Sequence, residues 1–233
     1  MWCRFARYGK NARVIPQAIL FDLDGTLVDS ERENVESVVL AVRQLGAELT
    51  ESERGFVIGH SWNEIHALIT GNHGLTVSMD ALIASAVDEK RALMVTSGYR
   101  ALPGARAAVQ RLGSRSQLAV VSGASRAEVR DALEGIGVMT AIRVWLGAED
   151  YERGKPAPDP FALAMRRLGV TPAACVAIED ATPGILSAHA AGARVIGVRA
   201  GNFAGYDLSP ADVVVDTLDD VTDVLCERLV SQG

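Results

Sequence analysis

A series of short, continuous apolar runs, separated by stretches with helical periodicity, constrains the fold of this chain more than any other feature. The runs lie within "AILFDLDGT", "QLAVVSGAS", "IRVWLGAED", "ACVAIEDAT", "ARVIGV" and "ADVVVD". Helix-like segments over 104–112, 125–134, 159–168 and 182–190 separate most of them. Strands that are apolar on both faces are typical of a parallel sheet with helices on each side. The sequence therefore predicts an α/β fold with a doubly wound parallel sheet.

One connection does not fit a simple alternation of strands and helices. About seventy residues, 31–98, contain only helix-like patterns, over 31–45, around 51–56, and over 62–70 and 79–96. A crossover between neighbouring strands is rarely that long. We therefore expect a helical cap domain inserted at 31–98, a core formed by 17–30 and 99–233, and an N-terminal extension over 1–16.

Composition narrows the class of ligand. The chain has 233 residues, a formal net charge of −6 and a pI near 5.3. Nucleic-acid binding requires a surplus of lysine and arginine, so a small-molecule ligand is favoured.

There is no run of eighteen apolar residues that would predict a membrane span. Cys3, Cys175 and Cys226 lack the spacing of a zinc site or a disulfide framework. We expect a cytoplasmic protein, monomeric or weakly homodimeric, that binds neither nucleic acid nor a membrane.

Two aspartates follow the first apolar run directly. Asp22 and Asp24 are two residues apart, so in a strand they would lie on one side, about 6.6 Å apart along its axis. Gly25 indicates that the strand ends here. Open parallel sheets bind ligands in the crevice beyond the carboxyl ends of their strands. Asp22 and Asp24 are therefore candidate functional residues.

Polar residues follow other predicted strands in the same way. Ser122 follows "LAVV", Glu179 and Asp180 follow "CVAI", and Lys155 lies in the loop after "IRVWLGAED". Four carboxylates in one crevice repel each other, which raises their pKa values unless a cation joins them. Oxygen ligands without histidine or cysteine favour Mg²⁺. Because Lys155 and Ser122 are left to hold an anion, the set suits phosphoryl transfer.

Each of these residues also has an ordinary structural interpretation. A pair of aspartates at the end of a strand often forms a turn or caps a helix. Ser122 can begin a turn before Ser125 caps the next helix, and Glu179–Asp180 can cap the helix that begins near Thr182. Lys155, in "RGKPAPDP", can be a solvated lysine in a proline-held loop. The order of these residues and their common placement favour the functional interpretation.

Four ordered motifs strengthen this hypothesis. "DLDGTLVDS", "VVSGAS", "GKPAPDPF" and "IEDATPGI" resemble the four motifs of the haloacid dehalogenase (HAD) superfamily of phosphatases and phosphomutases. The resemblance covers roughly residues 17–200 and implies a Rossmann-like core. A helical cap directly after the first motif resembles the subgroup that contains β-phosphoglucomutase, phosphoglycolate phosphatase and sugar-phosphate phosphatases.

The resemblance implies covalent chemistry at the first motif. Asp22 matches the nucleophile that attacks phosphorus and forms an aspartyl-phosphate. Asp24 matches the general acid and base, which protonates the leaving oxygen and then activates water. The dehalogenases of this superfamily lack an acid at the position of Asp24, so dehalogenation is not expected here.

The resemblance also assigns the metal and phosphate ligands. In the family, acids of the first and fourth motifs and one backbone carbonyl hold Mg²⁺. The matching metal ligands are Asp22, Asp24 through its carbonyl, Glu179 and Asp180. The matching phosphate ligands are Ser122, the backbone N–H of Gly123, and Lys155. The implied activity is that of a Mg²⁺-dependent phosphatase that acts on a small phosphorylated metabolite.

The predicted cap contributes evidence on the substrate. Its segment "VIGHSWNEI" resembles the substrate-specificity loop of these caps, and His60 is a candidate substrate contact. Trp62 fits better in an apolar helix stripe inside the cap. β-Phosphoglucomutase carries a lysine and an arginine where Ile58 and Trp62 stand here, and a histidine at the position of Asn34. A mutase needs such cations to hold its second phosphate. A β-phosphoglucomutase-type phosphomutase is therefore the alternative, and the phosphatase is the main hypothesis.

Overall fold

The parallel sheet predicted from the apolar runs forms the centre of the molecule. The computed structural model describes residues 14–58, 60, 62–202 and 205–231. The strands within this part are β1 (Ala18–Phe21), β2 (Val28–Asp29), β3 (Arg100–Ala101), β4 (Gln117–Val121), β5 (Val144–Leu146), β6 (Cys175–Glu179), β7 (Arg194–Val198) and β8 (Val213–Val215). Six of them form one parallel sheet in the order β5-β4-β1-β6-β7-β8. The predicted fold class is confirmed.

Helices cover both faces of this sheet. They are α5 (Ala105–Gly113), α6 (Arg126–Gly135), α7 (Asp159–Leu168), α8 (Thr182–Ala190) and α9 (Asp223–Val230). Alternate residues of a strand point to opposite faces. Accordingly, Ile19 and Phe21 of β1 pack in one apolar cluster with residues of α5, α6 and α9. Ala18 and Leu20 pack in a second cluster with residues of α7 and α8. The central strand is therefore buried on both sides, which explains its continuous apolar sequence.

The register of the three central strands brings their carboxyl ends to one level. Phe21 of β1 pairs with Val120 of β4 and with Ile178 of β6. The next residue of β1, Asp22, donates its backbone N–H to the Ile178 carbonyl at 3.0 Å. The polar residues that follow these strands consequently emerge at the same edge of the sheet.

In the chain, a helical unit is inserted between β1 and the other strands of the parallel sheet. Its helices are α1 (Glu31–Gln44), α2 (Glu51–Val57), α3 (Trp62–His73) and α4 (Met79–Ser97). They surround an apolar cluster of their own, which includes Val42, Ile69 and Leu82. The two connecting segments pair as antiparallel strands β2 and β3. The sequence did not indicate this pair, because two residues are too few for a strand pattern. The domain boundaries at 30/31 and 98/99 stay a prediction.

Three further expectations concern membranes, cysteines and the N-terminus. In the described part of the chain, no helix combines the length and the apolar character that a membrane crossing requires. Cys175 and Cys226 are buried free thiols. Cys3 and most of the N-terminal extension predicted over 1–16 lie outside the described residues.

Candidate active site

Three acidic side chains meet at the carboxyl edge of the sheet. Asp22 follows β1, Glu179 ends β6 and Asp180 follows it. One carboxylate oxygen from each lies within 4.8 Å of the others, and all three residues are buried. The strand register brings these acids together although they are far apart in sequence. Carboxylate oxygens are the ligands that Mg²⁺ prefers.

Lys155 reaches into this acidic cluster from the loop between β5 and α7. Its Nζ donates hydrogen bonds to Asp22 Oδ1 and Glu179 Oε1, each at 2.5 Å. A third bond, at 3.0 Å, goes to the carbonyl of Val121 at the end of β4. The lysine therefore links the ends of three neighbouring strands, and the interpretation of Lys155 as a solvated surface residue is wrong.

If all three acids were ionised, they would carry more negative charge than Lys155 neutralises. Burial raises the pKa of Asp22 to about 8, although the Lys155 ammonium opposes the shift. Burial, followed by the charges of Asp22 and Glu179, raises the pKa of Asp180 to about 9. Burial by itself would lower the pKa of Lys155, but Asp22 and Glu179 raise it overall. Three buried carboxylates with one ammonium are the environment that a divalent cation would complete, so the donor set fits Mg²⁺.

Asp24 has different partners from the three clustered acids. Its Oδ1 accepts hydrogen bonds from Ser30 Oγ at 2.5 Å and from Lys90 Nζ at 3.1 Å. Burial tends to raise the pKa of Asp24, but Lys90 and Ser30 lower it below its ordinary value overall. The side chain of Asp24 is not part of the three-acid group. Metal binding through its backbone carbonyl stays a prediction.

Ser122 and Gly123 form the loop that follows β4. Ser122 is buried, and its backbone N–H donates to the Leu146 carbonyl at 3.2 Å. Its Oγ accepts the backbone N–H of Ala124 at 3.0 Å. A hydroxyl that accepts one hydrogen bond can still donate its own proton, and phosphate binding by Ser122 stays a prediction. Ser125 caps α6, as the sequence predicts, and forms a capping box with Glu128.

A cavity of about 370 Å³ joins these groups. Its walls include Asp22, Asp24, Ser122, Gly123, Lys155 and Asp180. A second cavity of about 320 Å³, also bordered by Asp24, extends between the core and the helical unit. The structure thus brings every predicted core site residue to one place, with additional space for the remainder of a ligand.

The two cap residues singled out from the sequence also border these cavities. His60 is exposed and borders both of them, and its ring stacks on Phe56 with the centroids 3.6 Å apart. Trp62 packs against the apolar cluster of the helical unit and also borders the second cavity. Substrate binding by His60 stays a prediction.

The sequence interpretation missed Lys90 and two glycines. Lys90 lies on α4, and its contact with Asp24 joins the helical unit to the core. A Cβ on Gly184 would overlap the Glu179 carboxylate, and one on Gly201 would overlap the backbone of Gly25. No local pattern indicates these close approaches.

Comparisons with known proteins agree with this geometry. Residues 19–198 match the family model of the haloacid dehalogenase-like hydrolases. Hexitol phosphatase A of Escherichia coli (strain K12) is 34% identical over 209 residues, which are 88% of this chain and 93% of that protein. Validoxylamine A 7'-phosphate phosphatase of Streptomyces hygroscopicus subsp. limoneus is 32% identical over 215 residues, with 87% and 94% covered. The structure of CbbY from Rhodobacter sphaeroides in complex with phosphate has a TM-score of 0.74 at 22% identity, with 89% and 96% covered.

Family membership rests on two findings. The family model covers well over half of the chain. The two phosphatases named above are each more than 30% identical to this chain, and the matches cover 94% and 93% of their own lengths. Both findings confirm the resemblance that the four sequence motifs indicated. This chain belongs to the haloacid dehalogenase-like hydrolase family.

Proposed function

We propose that this chain is a Mg²⁺-dependent phosphatase that hydrolyses a phosphate monoester of a sugar or another small polyol through an aspartyl-phosphate. The observation that carries the proposal is the Lys155 ammonium, which bonds both Asp22 and Glu179 in a cluster that also contains Asp180. This arrangement joins a carboxylate nucleophile to a cation that can neutralise a phosphoryl group. The hexitol phosphatase and the validoxylamine A 7'-phosphate phosphatase among its relatives support the substrate class.

The proposed reaction has two halves. A carboxylate oxygen of Asp22 attacks phosphorus, the bond from phosphorus to the ester oxygen breaks, and Asp24 gives its proton to the leaving oxygen. Asp24 then takes a proton from water while the water oxygen attacks the phosphorus of the aspartyl-phosphate. The bond between phosphorus and Asp22 breaks, and inorganic phosphate leaves. The Lys90 ammonium favours ionised Asp24, which is the form needed to accept the proton of water in the second half; in the first half, Asp24 must be protonated before it can act as the acid.

The remaining site residues bind and orient the phosphoryl group. The Ser122 hydroxyl and the Gly123 N–H donate to phosphoryl oxygens, and Lys155 offsets their charge. Asp22, Glu179 and Asp180, with the carbonyl of Asp24, would hold Mg²⁺. When bound, this ion supplies the additional positive charge that the phosphoryl oxygens require in the transition state.

The helical unit is proposed to act as a cap, residues 31–98, that surrounds the alcohol part of the substrate. On the side formed by the helical unit, the residues that border the second cavity are mainly apolar, such as Val38, Val57 and Ile65. Lys90 is the one lysine or arginine among the described residues at its border, and it is already bonded to Asp24. A second phosphate would therefore lack a free cation, and a neutral alcohol is favoured over a bisphosphate.

A panel of phosphate esters tests the proposed function. Phosphate release with Mg²⁺ present is measured for hexitol phosphates, sugar monophosphates, phosphoglycolate and nucleotides, and kcat/KM values are compared. We expect the highest values for hexitol and sugar monophosphates. Failure to release phosphate from any ester would contradict the proposal. Conversion of glucose 1-phosphate to its 6-phosphate without net release would support a mutase instead.

Mg²⁺ is expected to stabilise the protein more at pH 8 than at pH 6. The pKa values of Asp22 and Asp180 are raised to about 8 and about 9 without metal, so the metal-free folded state holds protons that the unfolded state has lost. Its stability therefore falls as the pH rises toward these values. Mg²⁺ requires the ionised acids and competes with these protons. At a concentration one hundred times its Kd, Mg²⁺ would contribute about 2.7 kcal/mol, or roughly 5–10 °C in Tm.

Thermal unfolding with Mg²⁺ or with a chelator, at several pH values, checks this prediction. Asp180→Asn serves as the control, because it removes one proposed ligand and should lose most of the Mg²⁺ effect. Equal melting temperatures with and without millimolar Mg²⁺ at pH 8 would exclude a metal site at this cluster.

A further inference from the structure

The peptide bond between Ser122 and Gly123 has two polar groups that face opposite ways. A trans peptide is planar, so the Ser122 C=O and the Gly123 N–H point in opposite directions. Ser122 and Gly123 border the cavity with the acidic cluster, whereas the residue that binds the Ser122 carbonyl, Tyr151, does not. The Ser122 carbonyl therefore points away from the cavity, and the Gly123 amide points toward it. Among the described residues, none accepts a hydrogen bond from the Gly123 amide.

Tyr151 hydrogen-bonds this peptide on the side that faces away from the cavity. Its hydroxyl donates a hydrogen bond to the Ser122 carbonyl at 2.7 Å. Its ring packs against the apolar cluster between the sheet and helices α7 and α8. A hydroxyl on a packed aromatic ring has few positions available, so it holds its acceptor in one orientation.

The backbone before Tyr151 is also held by several bonds. Asp150 accepts the backbone N–H of Gly147 at 3.1 Å, and it forms ion pairs with Arg126 and Arg167 at 2.9 Å each. Tyr151 follows Asp150 directly and lies four residues before Lys155. The loop that delivers the proposed phosphate-binding lysine therefore also carries the tyrosine that holds the proposed phosphate-binding peptide.

We infer that Tyr151 is a positioning residue for phosphate binding, which acts through the Ser122–Gly123 peptide to aim the Gly123 N–H at a phosphoryl oxygen. The inference rests on the proposed function and assigns a role to a residue outside the four motifs. The hydrogen bond to the carbonyl also polarises the peptide, so the amide on its other side becomes a stronger donor. In this role Tyr151 contacts neither the substrate nor the metal.

Inorganic phosphate is the probe for this inference, because its binding does not depend on turnover. Its Kd is measured by calorimetry with Mg²⁺ present, for the wild-type chain and for Tyr151→Phe, which keeps the ring and removes only the hydroxyl. We expect Tyr151→Phe to bind phosphate about tenfold more weakly. In the wild type, NMR should show a downfield shift of the Gly123 amide proton on phosphate binding, and this shift should shrink in the variant.

Ser116→Ala is the matched control. The Ser116 hydroxyl donates to the Pro16 carbonyl at 2.8 Å, before β4 and away from the cavity. This variant loses the same kind of hydrogen bond, so its phosphate affinity should equal that of the wild type. Equal phosphate affinity of Tyr151→Phe and wild type, or a wild-type Gly123 amide that does not respond to phosphate, would overturn the inference alone. A wild-type chain that binds no phosphate and hydrolyses no ester would overturn the proposed function as well.

Discussion

Replacement of Asp22 by asparagine is expected to lower kcat by roughly 10⁴-fold or more, because an amide cannot form the proposed covalent intermediate. Asparagine has nearly the same shape, so steric disruption should be small. The substitution also removes one of the three clustered carboxylates, so Mg²⁺ affinity should fall. Phosphate release from the best ester of the panel, at saturating substrate and Mg²⁺, measures the effect. Asp22→Ala should give the same loss of activity.

Asp216→Asn is a suitable control for this experiment. Asp216 also directly follows a strand of the sheet, β8, but it lies at the sheet edge and pairs with Arg199 at 2.8 Å on the surface. Its substitution should change kcat less than twofold, since exposed ion pairs contribute little. If Asp22→Asn retained a tenth of the wild-type kcat, the nucleophile would have to be another group.

The part of the site that lies on the sheet was predictable from the sequence. The three strands that carry these residues, β1, β4 and β6, are almost entirely buried, so each appears in the sequence as an apolar run. The end of such a run is easily recognised, and parallel strands must end at the same edge. Asp22, Ser122 and Glu179 therefore could be placed together without any knowledge of side-chain contacts.

The contribution of the helical unit was not predictable in the same way. Lys90 lies on a long helix whose periodicity indicates only which face is apolar. Its contact with Asp24 depends on how the unit packs on the core, and no local pattern encodes that orientation. The close approach of Gly201 to Gly25 likewise joins segments that are far apart in the chain. Tyr151 was missed because its function depends on a single hydrogen bond across two loops.

Replacement of Lys155 by methionine is expected to destabilise the metal-free protein by about 3–5 kcal/mol at pH 8, because it leaves buried carboxylates without their cation. The Lys155 side chain is 14% exposed and contacts two acids whose side chains are 11% and 1% exposed. Without the ammonium, the pKa of Asp22, which burial already raises, should rise further, and the folded state should bind additional protons. The variant should therefore be closer to the wild type in stability at pH 5 than at pH 8. Urea unfolding at both pH values measures the difference.

Lys90→Met provides the comparison that separates a cluster effect from the loss of any buried lysine. Lys90 bonds a single carboxylate, Asp24, which keeps its hydrogen bond from Ser30. Its removal should therefore cost less stability than Lys155→Met. Millimolar Mg²⁺ should restore part of the stability of Lys155→Met, since it supplies positive charge to the same acids, but not that of Lys90→Met. If both variants lost equal stability and neither responded to Mg²⁺, the three clustered acids would not form the charged site on which phosphoryl transfer depends.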